Sequence, residues 1–331
     1  MGTPITGLFN LAPTSDAKSV AIQLLEIVYR QRRLIHDNDN CLHSPCTLCL
    51  KMHSDKIDTM VAQGAPITFI LPAFPAKSPN LSKVLGTCPD LGEQLSLRQL
   101  NDLCLKIGEL HAPGARIIIC SDGRAFSDCV GVTDEEVSNY GQEIKNLLVT
   151  LELQNIDIFN LEDYFKEGDF DNIRQRLVKQ YGRSLEELKS TIKTEEQTMN
   201  MFNGIHRFMY TDLKFRKPEA SSNQLKEESK HLAYQVIIRS NAWSALVQEV
   251  FPEAIRLSIH PQHPHSEKIG IKLMDCDNIW RTPWHGAVLD DGQNYRLMAR
   301  SDIEKMPVNL VYENGRPSYY VLRRYDSREA S

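Results

Sequence analysis

Short apolar runs that alternate with helical stretches constrain the fold of this chain more than any other feature of its sequence. The runs cover 65–71, 116–120 and 156–160, and they are continuously apolar rather than alternating. Continuous runs of this length are typical of parallel strands that helices cover on both faces. Apolar residues recur at helical spacing over 95–110 and over 134–151, between the runs. The order strand, helix, strand, helix, strand predicts a Rossmann-like parallel α/β core.

The rest of the chain divides around this core. We predict an N-terminal helical arm over 1–64, the Rossmann-like α/β core over 65–165, and a helical plus antiparallel β region over 166–331. The last of these begins with helices and ends with strand-like segments. The expected fold class is therefore α/β, a Rossmann-like parallel sheet core with a helical region and a small C-terminal antiparallel β region.

The C-terminal part predicts the small antiparallel sheet. Four segments there have the composition of strands, namely 255–261, 268–274, 285–298 and 308–322. The last two contain the dipeptides Asp291-Gly292 and Asn314-Gly315, which are hairpin turn signals.

The composition is that of a soluble globular protein. Of the 331 residues, 41% are hydrophobic and 24% are charged, and the net charge is -5. Nucleic-acid-binding domains instead carry a basic face and a high pI. The chain has no run of about 18 apolar residues, and its N-terminus lacks the pattern of a secretory signal. We therefore expect cytoplasmic localisation, reduced cysteines, no membrane contact and no nucleic-acid partner.

Polar side chains follow the first two predicted strands. The loop after the first strand carries Lys77, Ser78, Asn80 and Lys83, and the loop after the second carries Asp122 and Arg124. Open parallel sheets bind ligands beyond the carboxyl ends of their strands. Lysine and serine beside the amides of a following helix suit a phosphate or another anion. The alternative is an ordinary surface connector, and neither a GxGxxG nor a P-loop motif is present.

Cysteine and histidine are grouped in two places. The first group is the array Cys41, Cys46, Cys49 and His53, whose spacing would allow a tetrahedral zinc site but departs from paired CxxC motifs. Reduced thiols beside a helix are the alternative, and no metal ligand is assigned. The second group is His260, His263 and His265, where two intervening prolines disfavour a preformed metal site. His260, at a strand end, is the better catalytic candidate.

Two further segments contain candidate residues. Trp284 and His285 enter a predicted strand, and an aromatic ring beside an imidazole suits a substrate ring and a proton transfer. A core tryptophan next to a surface histidine is the alternative. Arg256 would bind a carboxylate or phosphate through two hydrogen bonds, or else pair with a surface acid.

Four motifs in order make the sequence similar to one known family. They are "LPAFPAKSPN" with the following "KVLG" and "PDLGE", then "ICSDGRAFSD", "IRLSIHP" and "TPWHGAV", and they span about Ile67 to Leu289. With these motifs the sequence resembles the pyoverdine/dityrosine biosynthesis family, the isocyanide (isonitrile) synthases.

The resemblance implies a reaction and its site. Bacterial members join the α-amine of an aromatic amino acid to the ketone carbon of ribulose 5-phosphate, which becomes the isonitrile carbon, and the reaction needs no cofactor. Tyrosine is expected before tryptophan, from family prevalence. The implied catalytic residues are Lys77, Asp122, His260 and His285. The implied substrate-binding residues are Ser78, Asn80, Lys83, Arg124, Arg256 and Trp284.

In this interpretation Lys77 and Ser78 lie at the sugar phosphate or at the forming imine, and Lys83 is a cationic neighbour that lowers the pKa of Lys77. The partners expected are the two small-molecule substrates and, in the pathway, an iron- and 2-oxoglutarate-dependent oxygenase. Three alternatives remain: a family member that forms N-formyl-tyrosine, an aldolase-like Schiff-base lyase, and a zinc-stabilised sugar-phosphate sensor without catalysis.

Overall fold

The computed structural model of the protein describes residues 15–36 and 41–323. The start of the predicted helical arm, 1–14, and the end of the predicted C-terminal region, 324–331, lie outside the described residues. The helices within the described residues are α1 (Ser15–Tyr29), α2 (Thr47–Ala62), α3 (Leu91–Gly108), α4 (Gly123–Val130), α5 (Asp134–Thr150), α6 (Leu161–Tyr164), α7 (Phe170–Tyr181), α8 (Leu185–Thr194), α9 (Glu196–Arg216), α10 (Ser222–Val250) and α11 (Arg300–Ile303).

The strands form two sheets. They are β1 (Ile67–Pro72), β2 (Ala115–Cys120), β3 (Ile156–Phe159), β4 (Ile255–Ser258), β5 (Ile269–Gly270), β6 (Ala287–Asp290), β7 (Tyr295–Met298), β8 (Val308–Glu313) and β9 (Arg316–Leu322). The first sheet has five parallel strands in the order β3-β2-β1-β4-β5. The second has four strands in the order β7-β6-β9-β8. The predicted α/β fold with a Rossmann-like parallel core is confirmed.

Helices cover the parallel sheet on both faces, as its continuously apolar strands predict. One face of the sheet packs on a large core to which α1, α2, α3 and α5 contribute buried side chains. The other face packs on a second core built around Trp243 of α10. Capping boxes fix where the helices beside the sheet begin, with Asp90 and Glu93 at the start of α3 and Thr133 and Glu136 at the start of α5. None of the described helices is long and apolar enough to cross a membrane.

Two strand assignments in the C-terminal part were wrong. The segments 255–261 and 268–274 were expected in the small antiparallel sheet, but β4 and β5 extend the parallel core beside β1. The reason is burial, since the side chains of Ile255, Arg256 and Leu257 are all buried, as expected of an inner strand. The helices from α6 to α10 therefore lie within one long connection between β3 and β4.

The second sheet is mixed rather than purely antiparallel. The hairpins at Asp291-Gly292 and Asn314-Gly315 are confirmed, because β6 pairs antiparallel with β7 and β8 pairs antiparallel with β9. Asn314 and Gly315 both have positive φ, at 51° and 75°, as a tight hairpin turn requires. However, β6 and β9 run parallel to each other, which joins the two hairpins into one sheet.

Candidate active site

The strand order places a topological switch point, where open α/β sheets form a crevice, at the carboxyl ends of β1 and β4. The chain leaves β1 toward β2 on one side, while β4 lies on the other side, so the connections diverge at this point. Such switch points are where open α/β sheets bind ligands. The loop after β1, the loop after β2 and the loop after β4 all leave from this edge. They carry six of the ten predicted site residues: Lys77, Ser78, Asn80, Lys83, Asp122 and His260.

The loops after β1 and β2 are locked together by close contact. The Ser121 hydroxyl donates a hydrogen bond of 3.1 Å to the carbonyl of Phe74, whose φ is 56°. A Cβ on Gly123 would lie 2.0 Å from the carbonyl oxygen of Pro75, so only glycine fits at this crossing. The polar residues of the two loops are therefore held at a fixed separation.

Lys77 sits in a fully buried ionic network. Its ammonium lies 2.7 Å from the Asp90 carboxylate and 2.9 Å from that of Glu93, and the Lys77 and Glu93 side chains are inaccessible to solvent. Lys77 also donates to the carbonyl of Pro283 at 3.1 Å. Tyr140 donates to the second oxygen of Glu93 at 3.1 Å. Every polar group of this network thus has a protein partner, which fixes α3 and the segment at Pro283 against the loop.

The network keeps Lys77 protonated. Burial opposes its charged form, but Asp90 and Glu93 outweigh that effect and raise the pKa of Lys77. Burial and the neighbouring Glu93 raise the pKa of Asp90 to about 7, against the effect of the ammonium. A protonated amine has no lone pair for attack on a carbonyl. The structure therefore favours Lys77 as a fixed positive charge over Lys77 as an imine-forming nucleophile.

Ser78, Asn80 and Lys83 continue the loop and connect it to other elements. The Ser78 amide donates to the carbonyl of Trp284 at 3.0 Å, and the Ser78 hydroxyl accepts from the Asn80 amide. Asn80 and Lys83 both contact the buried Asp212 of α9, at 3.0 and 2.5 Å. Ser78 and Asn80 are buried and bonded to protein groups, whereas the Lys83 side chain is partly exposed.

Asp122 is the least satisfied carboxylate at the crevice. Its Oδ1 is buried and has no hydrogen-bond partner among the described residues, although Asp122 occupies the N-cap position of α4. Burial raises its pKa to about 7. A carboxyl group that titrates near neutral pH is suited to both accept and donate a proton. Asp122 is thus the strongest acid/base candidate among the predicted residues.

Trp284 and His285 lie in a single 3₁₀ turn, Pro283–His285, that docks on the Lys77 loop. Trp284 is buried, and its ring lies 5.2 Å from that of Phe74, so it packs beneath the loop. The Nδ1 of His285 lies 3.0 Å from the Thr282 hydroxyl. Burial, followed by the nearby positive charges of Lys83 and other groups, lowers the pKa of His285 to about 3, so the ring is neutral.

His260 lies on the wall of the crevice. Its side chain is exposed to solvent, yet burial is the main cause that lowers its pKa to about 4. Many protein atoms surround the ring, although part of it remains open to solvent. The nearby charges of Arg33 and Lys268 lower the pKa further. The exposed Trp280 ring lies 6.0 Å from the His260 ring, which gives this wall an aromatic surface.

Arg256 is a buried cation, and Lys268 is a half-buried one. Arg256 donates to the Ser244 hydroxyl, but its Nε has no hydrogen-bond partner among the described residues. Burial lowers the pKa of Arg256, and burial together with the charge of Arg256 lowers that of Lys268. Glu267 is the one carboxylate that raises both pKa values. Arg256 and Lys268 are thus two neighbouring cations whose charges are only partly compensated.

The predicted residues on the two loops and on β4 form one electrostatic neighbourhood. The charges of Lys77, Lys83 and His260 all act on His285, and the thiol of Cys120 lies in the field of both Asp122 and Arg256. Arg124 is different, because it reaches away to α5 and α6. Its guanidinium bonds Asp134 at 2.7 Å and Ser138 at 2.7 Å, and lies 3.4 Å from Glu162. The substrate role of Arg124 stays a prediction.

Several residues of the crevice were not identified from the sequence: Asp90, Glu93, Tyr140, Asp212, Trp280 and Lys268. Asp90 and Glu93 stand in the quoted motif "PDLGE" and have capping-box spacing, so their helix-start role was detectable from sequence. Their contact with Lys77 was not, because it depends on how α3 packs against the loop. Lys268 lies in a segment that was assigned to another sheet.

Comparison with known proteins agrees with the resemblance carried by the four motifs. A sequence profile of the pyoverdine/dityrosine biosynthesis protein family matches residues 57–311. Two L-tryptophan isonitrile synthases of Fischerella ambigua are 52% and 44% identical to this chain, each over 92% of it and over 93% and 95% of their own length. An L-tyrosine isonitrile synthase of Xenorhabdus nematophila is 38% identical over 95% of both chains.

A solved structure agrees with the fold. The crystal structure of the PvcA protein from Pseudomonas aeruginosa superposes with a TM-score of 0.84 at 37% identity, covering 92% of this chain and 99% of that one. The chain therefore belongs to the pyoverdine/dityrosine biosynthesis protein family and is an isonitrile synthase.

Proposed function

We propose that this enzyme converts the α-amine of an aromatic L-amino acid, with L-tryptophan first, into an isonitrile, and that ribulose 5-phosphate supplies the carbon. The observation that supports a sugar phosphate as substrate is the pair of neighbouring cations at the crevice, Arg256 and Lys268. Their positive charges are only partly compensated by protein carboxylates. A phosphate dianion would supply the negative charge and hydrogen-bond acceptors that this pair has only in part. Arg256 has a buried Nε–H without a hydrogen-bond partner among the described residues, and this group could donate a hydrogen bond to a phosphate oxygen.

The amine that attacks the sugar ketone belongs to the amino acid in this proposal. Lys77 is held as an ammonium between Asp90 and Glu93, so it does not compete for the ketone. The substrate amine forms the C–N bond, and the ketone oxygen leaves as water after it gains two protons. Asp122, with a pKa of about 7, is placed to take a proton from the amine and return it to that oxygen.

The neutral imidazoles of His260 and His285 complete the proton-handling groups. Both pKa values lie well below neutral, at about 4 and about 3, so each ring has a lone pair at working pH. A neutral imidazole can accept a proton from a sugar hydroxyl when the remaining sugar carbons fragment away. The substrate carbon that stays bound to nitrogen becomes the isonitrile carbon.

The identity of the amino-acid substrate is the most specific part of the proposal. Family prevalence alone favoured tyrosine. The two tryptophan enzymes are more similar to this chain, at 52% and 44% identity, than the tyrosine enzyme at 38%. Trp280 beside His260 adds an exposed aromatic face on which an indole could stack. We therefore place L-tryptophan ahead of L-tyrosine.

The test is an incubation of purified protein with ribulose 5-phosphate and either L-tryptophan or L-tyrosine, followed by trapping with a tetrazine and mass spectrometry. We expect an isonitrile adduct that requires both the sugar phosphate and one amino acid, with the larger kcat/KM for tryptophan. A formamide as the first product would instead favour the N-formyl alternative. Consumption of the sugar phosphate without an amino acid would indicate a lyase, and binding without any product would indicate a sensor.

The cofactor requirement, the cellular compartment and the pathway partner are proposed from the family resemblance. We propose that the enzyme acts without an added cofactor, works in the cytoplasm, and passes its isonitrile to an iron- and 2-oxoglutarate-dependent oxygenase. Assay of the purified protein in buffer that contains the two substrates and no added metal or organic cofactor tests the first of these, since isonitrile formation should not become faster when such a cofactor is added.

A further inference from the structure

A cluster of three thiols and one imidazole lies away from the residues assigned to the reaction. Cys41 and Cys46 belong to the connector between α1 and α2, Cys49 lies in the first turn of α2, and His265 lies in the loop between β4 and β5. The four potential ligand atoms all lie within 4.8 Å of one another. The sequence array had suggested His53 as the fourth member, but the structure brings His265 to the three cysteines instead.

Two sulfur-to-nitrogen distances in the cluster match the edge of a zinc tetrahedron, and the remaining distances lie within 4.8 Å. The Nε2 of His265 lies 3.5 Å from the sulfur of Cys41 and 3.3 Å from that of Cys46. With Zn–S bonds of about 2.3 Å and a Zn–N bond of about 2.0–2.1 Å, tetrahedral angles give an S···N edge of about 3.5 Å and an S···S edge of about 3.8 Å. Three thiolates and one imidazole are also a ligand set that zinc prefers in structural sites.

The surroundings of the cluster favour thiolates and fix the ligands in place. Cys46 occupies the N-cap position of α2, where the exposed helix N–H groups stabilise a negative sulfur. The buried guanidinium of Arg32 donates to the carbonyl of Cys41 and lies 3.6 Å from the sulfur of Cys49. Cys41 and Cys49 are buried, and Cys46 is half-buried, so the donors form a largely closed site.

The backbone of His265 has an uncommon conformation. Its φ is 59°, in the left-handed region that a residue with a side chain seldom adopts. Such conformations persist where the surrounding structure requires them, often at functional sites. His53 is buried on α2 and is not among the four clustered ligand residues.

We propose that Cys41, Cys46, Cys49 and His265 bind one structural Zn²⁺ ion. Four protein ligands leave no open position for a substrate, so the ion holds the fold rather than performing chemistry. It ties the connector between α1 and α2 to the loop that follows His260 and precedes Lys268. His265 lies 224 residues after Cys41 and 219 residues after Cys46 in the sequence, so the ion closes a large loop of the chain. Zinc therefore supports the wall of the crevice from outside.

The first test is metal analysis of the full-length protein purified without chelator from zinc-supplemented cells. We expect about one zinc per chain, by mass spectrometry of the metal or by release to a colorimetric chelator. After exchange of the zinc for Co²⁺, we expect the intense visible bands of a tetrahedral cobalt site and the near-ultraviolet absorption of sulfur-to-cobalt charge transfer. A zinc-free protein that also shows no tetrahedral cobalt spectrum would overturn the proposal, as would a disulfide among the three cysteines, detected as a loss of two mass units.

Matched variants identify the ligands. His265→Gln should lower the zinc content well below one per chain and change the cobalt spectrum, whereas His263→Gln, at an exposed histidine two residues earlier, should leave both unchanged. Cys46→Ser and Cys88→Ser form the corresponding thiol pair, because Cys88 is not a member of the cluster. Cobalt spectra of the unaltered protein remain decisive if a ligand variant fails to fold. Equal zinc content in His265→Gln and His263→Gln would overturn the assignment of His265.

Discussion

The two sides of the crevice differ in how their charges are compensated. On the side of the β1 loop, Lys77 has two carboxylate partners, and Tyr140 satisfies one of these in turn. On the side of β4, Arg256 keeps an unpaired buried Nε–H, and it lies near a second cation, Lys268.

The difference in charge compensation indicates different roles for the two sides, one in positioning chain segments and the other in binding a ligand. A fully paired buried network fixes the segments that contribute to it, and it loses much when one member is removed. Buried cations that lack full compensation lower stability by themselves and are typical of sites that receive an anion. The β1 side therefore holds the crevice in shape, and the β4 side is the one that receives the sugar phosphate in the proposed function.

Lys77→Met should have the largest effect, since it leaves Asp90 and Glu93 as buried carboxylates without a cation. Breaking a buried ion pair in this way costs about 3–5 kcal/mol, so the free energy of unfolding in urea should fall by about that amount. The control is Lys305→Met, whose exposed lysine pairs with the exposed Asp302 and should contribute little to the free energy of unfolding. Equal losses in the two variants would contradict the positioning role of the paired side.

Asp122→Asn should have the next largest effect, because it removes the group that titrates near neutral pH. General acid/base groups contribute at least about 10²-fold, so kcat should fall by that factor or more while KM for the sugar phosphate changes little. The variant should also lose the pH dependence of kcat that wild-type shows near pH 7. A variant with wild-type kcat and an unchanged pH profile would rule out Asp122 as the acid/base group.

The same substitution should raise stability at neutral pH. The pKa of Asp122 rises from 3.8 in the unfolded chain to about 7 in the folded protein, so between these values the folded state alone keeps the proton. Stability of wild-type should therefore fall as pH rises from about 4 to about 7, relative to Asp122→Asn. Urea denaturation of both proteins across this range measures the difference, and parallel pH curves would contradict it.

Arg256→Met tests the binding side with a somewhat smaller effect. Loss of a charged hydrogen bond of about 1.5–3 kcal/mol should lower kcat/KM for the sugar phosphate by roughly 10- to 100-fold. Stability should change little, because the arginine is under-compensated in the folded protein. The comparison variant Arg124→Met removes a guanidinium paired with Asp134, so it should mainly lower the free energy of unfolding. A larger rise of KM in Arg124→Met than in Arg256→Met would reverse the assignment.

The smallest expected effect is the acid sensitivity caused by His260. Its pKa falls from 6.5 in the unfolded chain to about 4 in the folded protein, so the unfolded state binds the extra proton between these values. Stability should therefore decrease as pH falls from about 6.5 to about 4. His260→Gln should reduce that slope modestly, because solvent reaches the ring. Thermal melts of both proteins over this range provide the measurement, and identical slopes would contradict the lowered pKa.

The parallel core was predictable from the sequence. Continuous apolar runs indicated strands β1, β2 and β3, and the polar loops beyond them indicated where Lys77 and Asp122 would lie. Strand β4 was recognised as a strand but placed in the wrong sheet. Its partner β1 is almost two hundred residues earlier in the chain, and a local pattern does not reveal which distant strand it joins.

The pairing of side chains across the crevice was not predictable. Lys77 looks like an exposed loop lysine in the sequence, but α3 brings Asp90 and Glu93 against it and buries all three. His265 likewise appeared as one histidine among three, while its contact with Cys41 and Cys46 depends on the long connection that returns β4 to the sheet. In both cases the decisive contact lies between segments whose relative placement only tertiary packing determines.

The most direct test of the account is an incubation of the purified enzyme with L-tryptophan and ribulose 5-phosphate that carries ¹³C at the ketone carbon, with tetrazine trapping. We predict that the wild-type adduct is one mass unit heavier than the adduct formed from unlabelled sugar phosphate, and that Arg256→Met forms the same labelled adduct but needs a much higher sugar-phosphate concentration. An adduct without the label, or no isonitrile from either tryptophan or tyrosine, would contradict the proposal that this crevice transfers the sugar's ketone carbon to an amino-acid amine.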